Sequence, residues 1–428
     1  MKNITALIMA GKNDSQMISK KTQFAQSIYG KEVIKRVVES VRKAGIEDIA
    51  VIVGNDTKQE IEQILQNSVK YIYQDEVLGT GYAILKSVDY LKAKEGNVII
   101  LNGNIPLIKS ETIKKLVKKA EKEENAGTIL SAISNNPIGY GRVIRDVNNI
   151  KKIVEESDLD EKQKSIFEVN AGVYVYNIKE LLNVIDRLQK NKIGLYYITD
   201  IIEMMAVQGL KIGALLLEDN TEVLPANNKI QLEILNKILR IRINTMHIQN
   251  GVTIEDINST YIYDDVKKIF SKADVKIGMD TIIRPNTTIK SGVKIGEDCD
   301  IGPNAYIREN CVLANKVKVG SFVEIKKAVI NEGSKVPHLS YMGDCEIGKK
   351  VNIGCGTITC NYDGVNKNKT KIGNDCFIGS NVNLVAPVKI GDNVLVAAGS
   401  TITDDVPADA LAIARQRQIV KEEWNKRN

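Results

Sequence analysis

The chain has 428 residues, of which 43% are hydrophobic and 26% charged, an ordinary balance for a globular protein of two or three domains. The net charge of +6 is spread along the whole length without a basic block or an RNA-binding motif, so charge gives no support to a nucleic-acid-binding protein. No apolar run reaches the ~18 residues of a membrane-spanning helix. Small anionic substrates stay compatible with this composition, because one site needs only a few cations.

The first residues and the cysteines both suggest a cytoplasmic protein. The segment from Met1 to Gly11 has one charge and no following cleavage site, which predicts a first strand and not a signal peptide. All six cysteines lie in the second half without a CxxC pair, and we expect reduced thiols at small interior positions. A zinc site is not expected, because His247 and His338 are the only histidines and no ligand spacing surrounds them.

Residues 1–227 alternate short apolar strands with helical patterns. The predicted strands are Ile4–Ala10, Ile49–Val53, Val69–Tyr73, Val98–Asn102, Gly127–Ile133 and Gly172–Tyr176. The predicted helices are Glu32–Ala44, Lys58–Gln66, Thr80–Lys92 and Ser110–Glu124. This alternation predicts an α/β, Rossmann-like domain with a mostly parallel sheet, in which ligands bind beyond the carboxyl ends of the strands.

Residues 228–250 carry apolar side chains at helical spacing with lysines and arginines opposite. The pattern predicts a connecting helix, and the alternative is an ordinary last helix of the first domain.

Residues 251–428 follow a six-residue spacing. Counted in steps of six, nine successive positions from Ile277 to Ile325 are aliphatic, and so are six successive positions from Ile372 to Ile402. An aliphatic residue every six positions is the signature of a hexapeptide β-helix. Many of these positions precede a glycine, which we expect to serve tight turns with positive φ. Segments 326–346 and 360–371 leave the spacing and are expected to form loops that carry chemistry.

A Rossmann-like half followed by hexapeptide repeats resembles a bacterial bifunctional family. That family joins an N-acetylglucosamine-1-phosphate uridylyltransferase to a glucosamine-1-phosphate N-acetyltransferase and makes UDP-N-acetylglucosamine. The motifs that carry the resemblance include Leu78-Gly79-Thr80-Gly81, Asn104-Ile-Pro-Leu, Glu168-Val-Asn170-Ala-Gly172, Tyr196-Tyr-Ile-Thr-Asp200, His338-Leu-Ser-Tyr341-Met-Gly-Asp and Asn352-Ile-Gly-Cys-Gly-Thr-Ile-Thr-Cys-Asn361-Tyr362-Asp-Gly. It implies a left-handed parallel β-helix for the second half.

The resemblance also implies an acetyl-transfer site, because acetyl transfer to an amine needs a base and cations for the sugar phosphate. His338 matches the catalytic base, and Asn361 matches the residue that orients the amine. The matching substrate contacts are Arg308, Lys326, Tyr341, Asn352 and Lys367. The matching contacts to acetyl-coenzyme A, the co-substrate, are Cys355, Asn361, Tyr362, Ser380, Ala398 and Arg415. Cys355 stands where relatives often have alanine, and we interpret it as a tolerated small residue.

The first half keeps the family's sugar and uracil contacts but departs at its phosphate segment. The matching contacts are Gln74, Gly79, Thr80, Gly141, Glu155, Asn170 and Asn227. In residues 11–23, Gln16 replaces the family's arginine and Gln23 its lysine, while Asp14 adds a negative charge. Asn104 replaces the magnesium aspartate, and with Asn227 it makes a weak metal site, because magnesium prefers anionic oxygens.

The leading hypothesis is therefore a glucosamine-1-phosphate N-acetyltransferase with an inactive uridylyltransferase domain, which would need magnesium only if that domain were active. A fully bifunctional enzyme is the alternative, with Lys12, Lys20 or Lys21 compensating through a shifted register. A non-enzymatic trimeric scaffold and another sugar-nucleotide acyltransferase are further alternatives. The resemblance implies a homotrimer whose acetyl sites form between neighbouring coils, with the segment around Arg415 and Trp424 reaching towards them.

Overall fold

The computed structural model describes residues 3–12, 14–146, 149–263 and 275–424. The chain forms two compact units, Met1–Asn236 and Lys237–Asn428. The division falls inside one continuous helix, Lys229–Gln249, which spans the predicted connecting helix and contributes residues to both units. Asn13, in the predicted phosphate segment, lies outside the described residues.

Within the described residues, the sheet of the first unit has nine strands, seven of them in one continuous path. In spatial order these seven are Ile212–Leu216, Gly127–Ile133, Glu168–Asn177, Asn97–Asn102, Ile4–Ala10, Asp48–Val53 and Lys70–Tyr73. Glu168–Asn177 is antiparallel to both neighbours, and the other pairings along the path are parallel. The Rossmann-like, mostly parallel sheet is therefore confirmed.

The sheet is covered on both faces, so its central strands are apolar along their whole length. All seven residues of Ile4–Ala10 are buried, and two apolar clusters pack against its two faces. The covering helices are Val33–Lys43, Lys58–Leu65, Thr80–Leu85, Val88–Lys92, Ser110–Glu123, Ile178–Ile185 and Asp200–Val207. A short helix at Glu161–Lys164 has no buried residue, and short 3₁₀ turns lie at Gln23–Ala25, Gln66–Ser68, Glu156–Asp158 and Asn220–Val223.

The predicted helix 80–92 is in fact two helices. The buried Ser87 hydroxyl donates to the Ala83 carbonyl oxygen at 2.9 Å, and such side-chain bonding competes with the helix ladder. Two antiparallel pairs were not predicted, because they are short or carry charged residues that blur the alternation: Arg142–Asp146 with Asn149–Val154, and Ser27–Ile28 with Lys31–Glu32.

The second unit is a left-handed β-helix with three parallel faces. The first face has Thr253–Ile254, Ile282–Ile283, Asp300–Ile301, Lys318–Ser321, Lys335–His338, Asn352–Ile353, Phe377–Ile378, Leu395–Val396 and Leu411–Ala412. The second face has Tyr261–Ile262, Thr288–Ile289, Tyr306–Ile307, Glu324–Lys326, Tyr341–Gly343, Ile358–Cys360, Asn383–Val385 and Thr401–Ile402. The third face has Lys276–Ile277, Lys294–Ile295, Val312–Leu313, Val329–Ile330, Cys345–Ile347, Thr370–Ile372 and Val388–Ile390.

The hexapeptide spacing marks the interior of this coil, as predicted. The aliphatic residues at six-residue steps from Ile283 to Ile325 and from Ile372 to Ile402 are buried. Among the glycines that follow them, Gly302 has the predicted positive φ, of 102°, whereas others serve the close packing of successive coils. A Cβ on Gly354 would lie 2.5 Å from the Gly379 carbonyl carbon of the next coil, so close stacking of backbones requires glycine there. Positive φ falls instead on residues two positions later, such as Asp280, Asp298 and Asn381.

The prediction that 326–346 forms a loop was wrong. This segment stays in the coil as four short strands and keeps Ile330, Val336 and Met342 buried. Its strands pair with residues 17 positions away, for example Ile325 with Met342, because one turn is a residue shorter. The segment 360–371 does contain a loop, between Ile358–Cys360 and Thr370–Ile372.

The expected interior position is confirmed for four of the six cysteines. All six cysteines are unpaired; Cys355 and Cys360 are half-buried and the other four are buried. Burial raises the pKa of the Cys345 thiol to about 12. Among the described residues, none of the helices combines the length and apolar character needed to cross a membrane.

Candidate functional site

His338 ends the first-face strand Lys335–His338 and lies exposed at the corner between the first and second faces. Leu339 follows with a φ of 36°, and the strand Tyr341–Gly343 begins the second face directly afterwards. The Leu339 amide donates to the Ser321 carbonyl oxygen at 2.9 Å, and the Ser340 hydroxyl donates to the His338 carbonyl oxygen at 2.6 Å. The imidazole is therefore mounted on a rigid backbone and faces solvent.

The same corner continues through the following coils as a column of small side chains. The Gly356 amide donates to the Leu339 carbonyl oxygen at 2.9 Å, and the Asn381 amide donates to that of Cys355 at 2.7 Å. In the next coil the Gly399 amide donates to the Ser380 carbonyl oxygen at 2.8 Å. We call Cys355, Ser380 and Ala398 the small-residue column. It begins one coil from His338, and Ser380, Ala398 and Arg415 are exposed along it.

Two cations lie on neighbouring coils of the second face. Arg308 follows the strand Tyr306–Ile307, and Lys326 ends the strand Glu324–Lys326 beside it. A guanidinium Nη1 of Arg308 donates to a Glu324 carboxylate oxygen at 3.0 Å, and this ion pair is partly exposed on both sides. Lys326 pairs in register with Gly343 of the following coil. The rigid ladder thus holds both cations about one strand spacing, or ~5 Å, apart along the coil axis.

Tyr341, Asn361 and Asp344 form a polar cluster at the far end of the second-face strands. The Asn361 amide nitrogen donates to Asp344 Oδ2, and the Asn361 side chain is also hydrogen-bonded to Tyr341. Burial raises the pKa of Tyr341, and the carboxylates of Glu324 and Asp344 raise it further. A Cβ on Gly343 would lie 2.4 Å from the Tyr341 hydroxyl, so the ring leans along the strand over this glycine.

The loop after Asn361 is organised by Asp363. Its carboxylate accepts from the amides of Val365 and Asn366, at 2.8 and 2.6 Å, and these bonds lower the pKa of Asp363. Tyr362 and Lys367 are exposed and face each other in an antiparallel bridge. The two predicted contacts in this loop, Tyr362 and Lys367, are therefore held beside each other by the same turn.

The single chain does not bring all predicted site residues together. His338 lies before the second-face strands and Asn361 lies after them, so they occupy opposite edges of that face. Asn352 is half-buried on the first face, in register with Lys335 of the preceding coil. The two edges of the second face therefore carry different parts of the predicted site.

The first unit has a cavity of about 190 Å³ at the carboxyl ends of its strands. Gln74 lines it and is 3% exposed, and its Oε1 atom is buried without a hydrogen-bond partner in the part of the chain that the structure describes. A Cβ on Gly11 would lie 2.0 Å from the Gln74 amide nitrogen, so a larger residue at position 11 would displace the Gln74 side chain. The other residues around the cavity include Lys12, Gln23, Gly79, Thr80, Asn102 and Asn104.

Three of the predicted sugar and uracil contacts, Gly141, Glu155 and Asn170, are hydrogen-bonded within the first unit. The Asn170 amide donates to the Gly141 carbonyl oxygen at 2.8 Å, and the Thr199 hydroxyl donates to Glu155 Oε1 at 2.9 Å. Burial raises the pKa of Glu155. Burial and then Glu155 raise the pKa of the neighbouring Asp200 to about 6.

The residues at the predicted magnesium positions do not fit that ion. Asn104 Nδ2 donates to Asn227 Oδ1 at 2.7 Å, so one amide already satisfies the other. Neither side chain carries a charge, whereas magnesium prefers carboxylate and phosphate oxygens. Within the ranges that the structure describes, no group of three or more His, Cys, Asp or Glu side chains is placed to hold a metal.

The glutamines of the phosphate segment are also engaged by the protein itself. Gln23 Oε1 accepts from the Asp14 amide at 2.8 Å, and its Nε2 donates to the Lys12 carbonyl oxygen at 3.0 Å. Gln16 Oε1 accepts from Asn228 Nδ2 at 3.3 Å.

No role was predicted for Asp344 or Asp363, although both lie inside the motifs that carry the family resemblance. The signal that could have found them is their position: Asp344 closes the His338–Tyr341 motif, and Asp363 follows Tyr362 directly. Their partners, Asn361 and the loop amides, could be identified only from the fold.

Comparisons with known proteins agree with both units. Residues 16–262 match the family model described as Nucleotidyl transferase, and residues 274–309, 292–327 and 369–404 match the one described as Bacterial transferase hexapeptide (six repeats). A Bifunctional protein GlmU of Caldanaerobacter subterraneus is 45% identical, over 99% of this chain and 98% of its own. Proteins of the same name from Thermoanaerobacter pseudethanolicus and Acetivibrio thermocellus are 44% and 41% identical over 99% of this chain, and 98% and 97% of their own.

The fold and the matches define a transferase that joins a nucleotidyltransferase domain to a hexapeptide-repeat domain. At 41–45% identity over nearly its full length, the chain belongs to the family of bifunctional GlmU proteins. The name of these relatives supports the fully bifunctional alternative better than the expectation of an inactive first domain.

Proposed function

We propose that the second unit is a glucosamine-1-phosphate N-acetyltransferase that uses acetyl-coenzyme A, in the synthesis of UDP-N-acetylglucosamine. The observation that carries the proposal is the corner of the coil where His338 leads, through successive backbone hydrogen bonds, into the small-residue column. A proton acceptor beside a lengthwise column of small residues suits the transfer of an acyl group from a long thioester.

The proposed roles follow from the chemistry of the step. His338 takes the proton that the sugar amine loses as its nitrogen bonds to the thioester carbonyl carbon, and the carbon–sulfur bond then breaks to release the coenzyme thiolate. Asn361 orients the amine. Arg308, Lys326 and Lys367 neutralise the sugar phosphate. Tyr341 and Asn352 bind the sugar, and the small-residue column with Tyr362 and Arg415 binds the coenzyme.

We further propose that the chain works as a trimer. His338 and Asn361 lie at opposite edges of the second face, so one coil alone offers the base and the amine-orienting amide on different edges. A closed ring of three parallel coils brings one edge of each coil against another edge of its neighbour. The expected particle has three times the mass of the 47.3 kDa chain.

For the first unit, we propose that the cavity beside Gln74 binds a uridine nucleotide or nucleotide sugar. Its buried, unpartnered acceptor and the linked residues Gly141, Glu155 and Asn170 support this assignment. Whether uridylyl transfer follows separates the two alternatives: the relatives' name favours it, whereas Gln16, Gln23 and Asn104 remove the charges that the family uses.

A paired assay on one preparation tests both units. Acetyl-coenzyme A with glucosamine-1-phosphate should release free thiol at an ordinary enzymatic rate, about 1 s⁻¹ or faster. UTP with N-acetylglucosamine-1-phosphate and magnesium should release pyrophosphate at a comparable rate only if the bifunctional alternative holds. Absence of thiol release from a trimeric, folded sample would contradict the acetyltransferase assignment.

A further inference from the structure

We propose that the Gln74 cavity holds its uridine nucleotide without a divalent cation, so that binding neither needs magnesium nor strengthens with each added phosphate. The proposal rests on the proposed ligand class of this cavity. It concerns the residues around the phosphates, which differ in charge from what a magnesium–triphosphate complex requires.

The base-binding end of the cavity is intact. Gln74 lines the cavity and is 3% exposed, and its Oε1 atom is buried without a hydrogen-bond partner within the described residues. A buried acceptor in this state is costly unless a ligand donor reaches it. The imide N–H of uracil is such a donor, whereas cytosine has an acceptor at the same ring position. This contact involves neutral groups and therefore does not depend on a cation.

At the predicted magnesium positions, two uncharged amide side chains are hydrogen-bonded to each other. Asn104 Nδ2 donates to Asn227 Oδ1 at 2.7 Å, although the two residues are 123 positions apart in the chain. An arriving cation would have to break this bond and would gain only amide oxygens. Among the described residues, Asn104 Oδ1 is itself buried without a partner, and a ligand hydroxyl or N–H can satisfy it as well as a metal can.

The phosphate end lacks available cations at the expected positions. Both polar atoms of Gln23 are bonded to the backbone of Lys12 and Asp14, so this side chain braces the segment. Lys12 lines the cavity as a single positive charge, and the Asp14 carboxylate accepts from the Gln16 amide at 2.9 Å. Lys12 can match one phosphate charge, so each further phosphate added to a nucleotide brings negative charge without a matching partner among the cavity residues that the structure describes.

Calorimetric titration of the full chain with UMP, UTP and UDP-N-acetylglucosamine, in magnesium chloride and in EDTA, tests the proposal. We expect the dissociation constant of each nucleotide to change by less than about threefold between the two buffers. We also expect UTP to bind no more tightly than UMP in magnesium. Binding of UTP that is about tenfold or more tighter in magnesium than in EDTA would overturn the proposal.

Matched variants locate the effect. Gln74→Ala should weaken UMP binding by about tenfold or more, while Gln189→Ala, at an exposed glutamine of the same unit, should leave it unchanged. Asn104→Asp should give UTP binding a dependence on magnesium that the unaltered chain lacks. If no nucleotide binds in either buffer, the proposal is wrong; acetyl transfer measured on the same preparation then shows separately whether the acetyltransferase assignment stands.

Discussion

The phosphate segment of the first unit and the His338 corner of the second use polar side chains in opposite ways. Gln23 is 4% exposed and has both polar atoms bonded to backbone, whereas His338 is exposed on a backbone fixed by its own ladder. A side chain that braces a loop has little left for a ligand, while one mounted on a rigid coil can meet substrate without rearrangement. The difference indicates that His338 is presented for contact with a ligand, whereas Gln23 stabilises the local structure of its loop.

The largest expected effect is on acetyl transfer and tests the role of the exposed His338. His338→Ala removes the proposed base and should lower the rate of acetyl transfer by roughly 10²–10⁴-fold. Because the imidazole lies outside the coil, thermal unfolding should not change. Lys335→Ala, at an exposed residue of the same strand, is the control and should retain full activity. A His338→Ala chain with near-normal turnover would remove the histidine from the mechanism.

The next effect concerns the cluster at the far edge of the second face. Asp344→Ala leaves the Asn361 amide without its carboxylate acceptor, so the amide can rotate. Losing a hydrogen bond to a charged group typically costs about 1.5–3 kcal/mol, and we expect kcat to fall by roughly 10–100-fold with a smaller change in KM. Glu346→Ala removes an exposed carboxylate two residues later and should be silent. Equal activity of both variants would show that Asp344 does not position Asn361.

A third prediction tests whether Gln23 stabilises the loop around Lys12 and Asp14. Gln23→Ala removes the two hydrogen bonds to the Lys12 and Asp14 backbone and should lower the free energy of unfolding by about 1–2 kcal/mol. Acetyl transfer should be unaffected. Gln16→Ala, at an exposed residue with one long contact, should change stability by less than about 0.5 kcal/mol. Unchanged stability in Gln23→Ala, together with altered nucleotide binding, would instead make Gln23 a ligand contact.

The smallest effect is a pH dependence in the first unit. Burial, with Glu155 and Glu203, raises the pKa of Asp200 to about 6, above the ~3.9 of an unfolded chain. The folded state then holds more protons between pH 4 and 6, so this group lowers stability as pH rises through that window. Because the side chain is half-buried, Asp200→Asn should add only about 1 kcal/mol at pH 7 and nothing near pH 4. Denaturant unfolding at both values measures the difference; an equal effect at both would contradict the shifted pKa.

Much of the fold was predictable, because each unit repeats a local pattern. The six strands predicted in the first unit all occur within a few residues of their predicted ends. The coil positions from Ile283 to Ile325 are buried as their spacing predicts. Segment 326–346 was not predictable in the same way, since one shortened turn breaks the spacing while Ile330, Val336 and Met342 still point inward.

The sequence alone determined the period of the coil, the alternation of the first unit and the residue types available for chemistry, because these depend on neighbours along the chain. Only the tertiary structure decided which residues meet. Cys355, Ser380 and Ala398 form one column because coils of 25 and 18 residues stack in register. Asn104 donates a hydrogen bond to Asn227, and Asp344 accepts one from Asn361, because folding brings distant residues within hydrogen-bond distance. Those pairings depend on how distant segments pack together, so they cannot be predicted from local residue spacing.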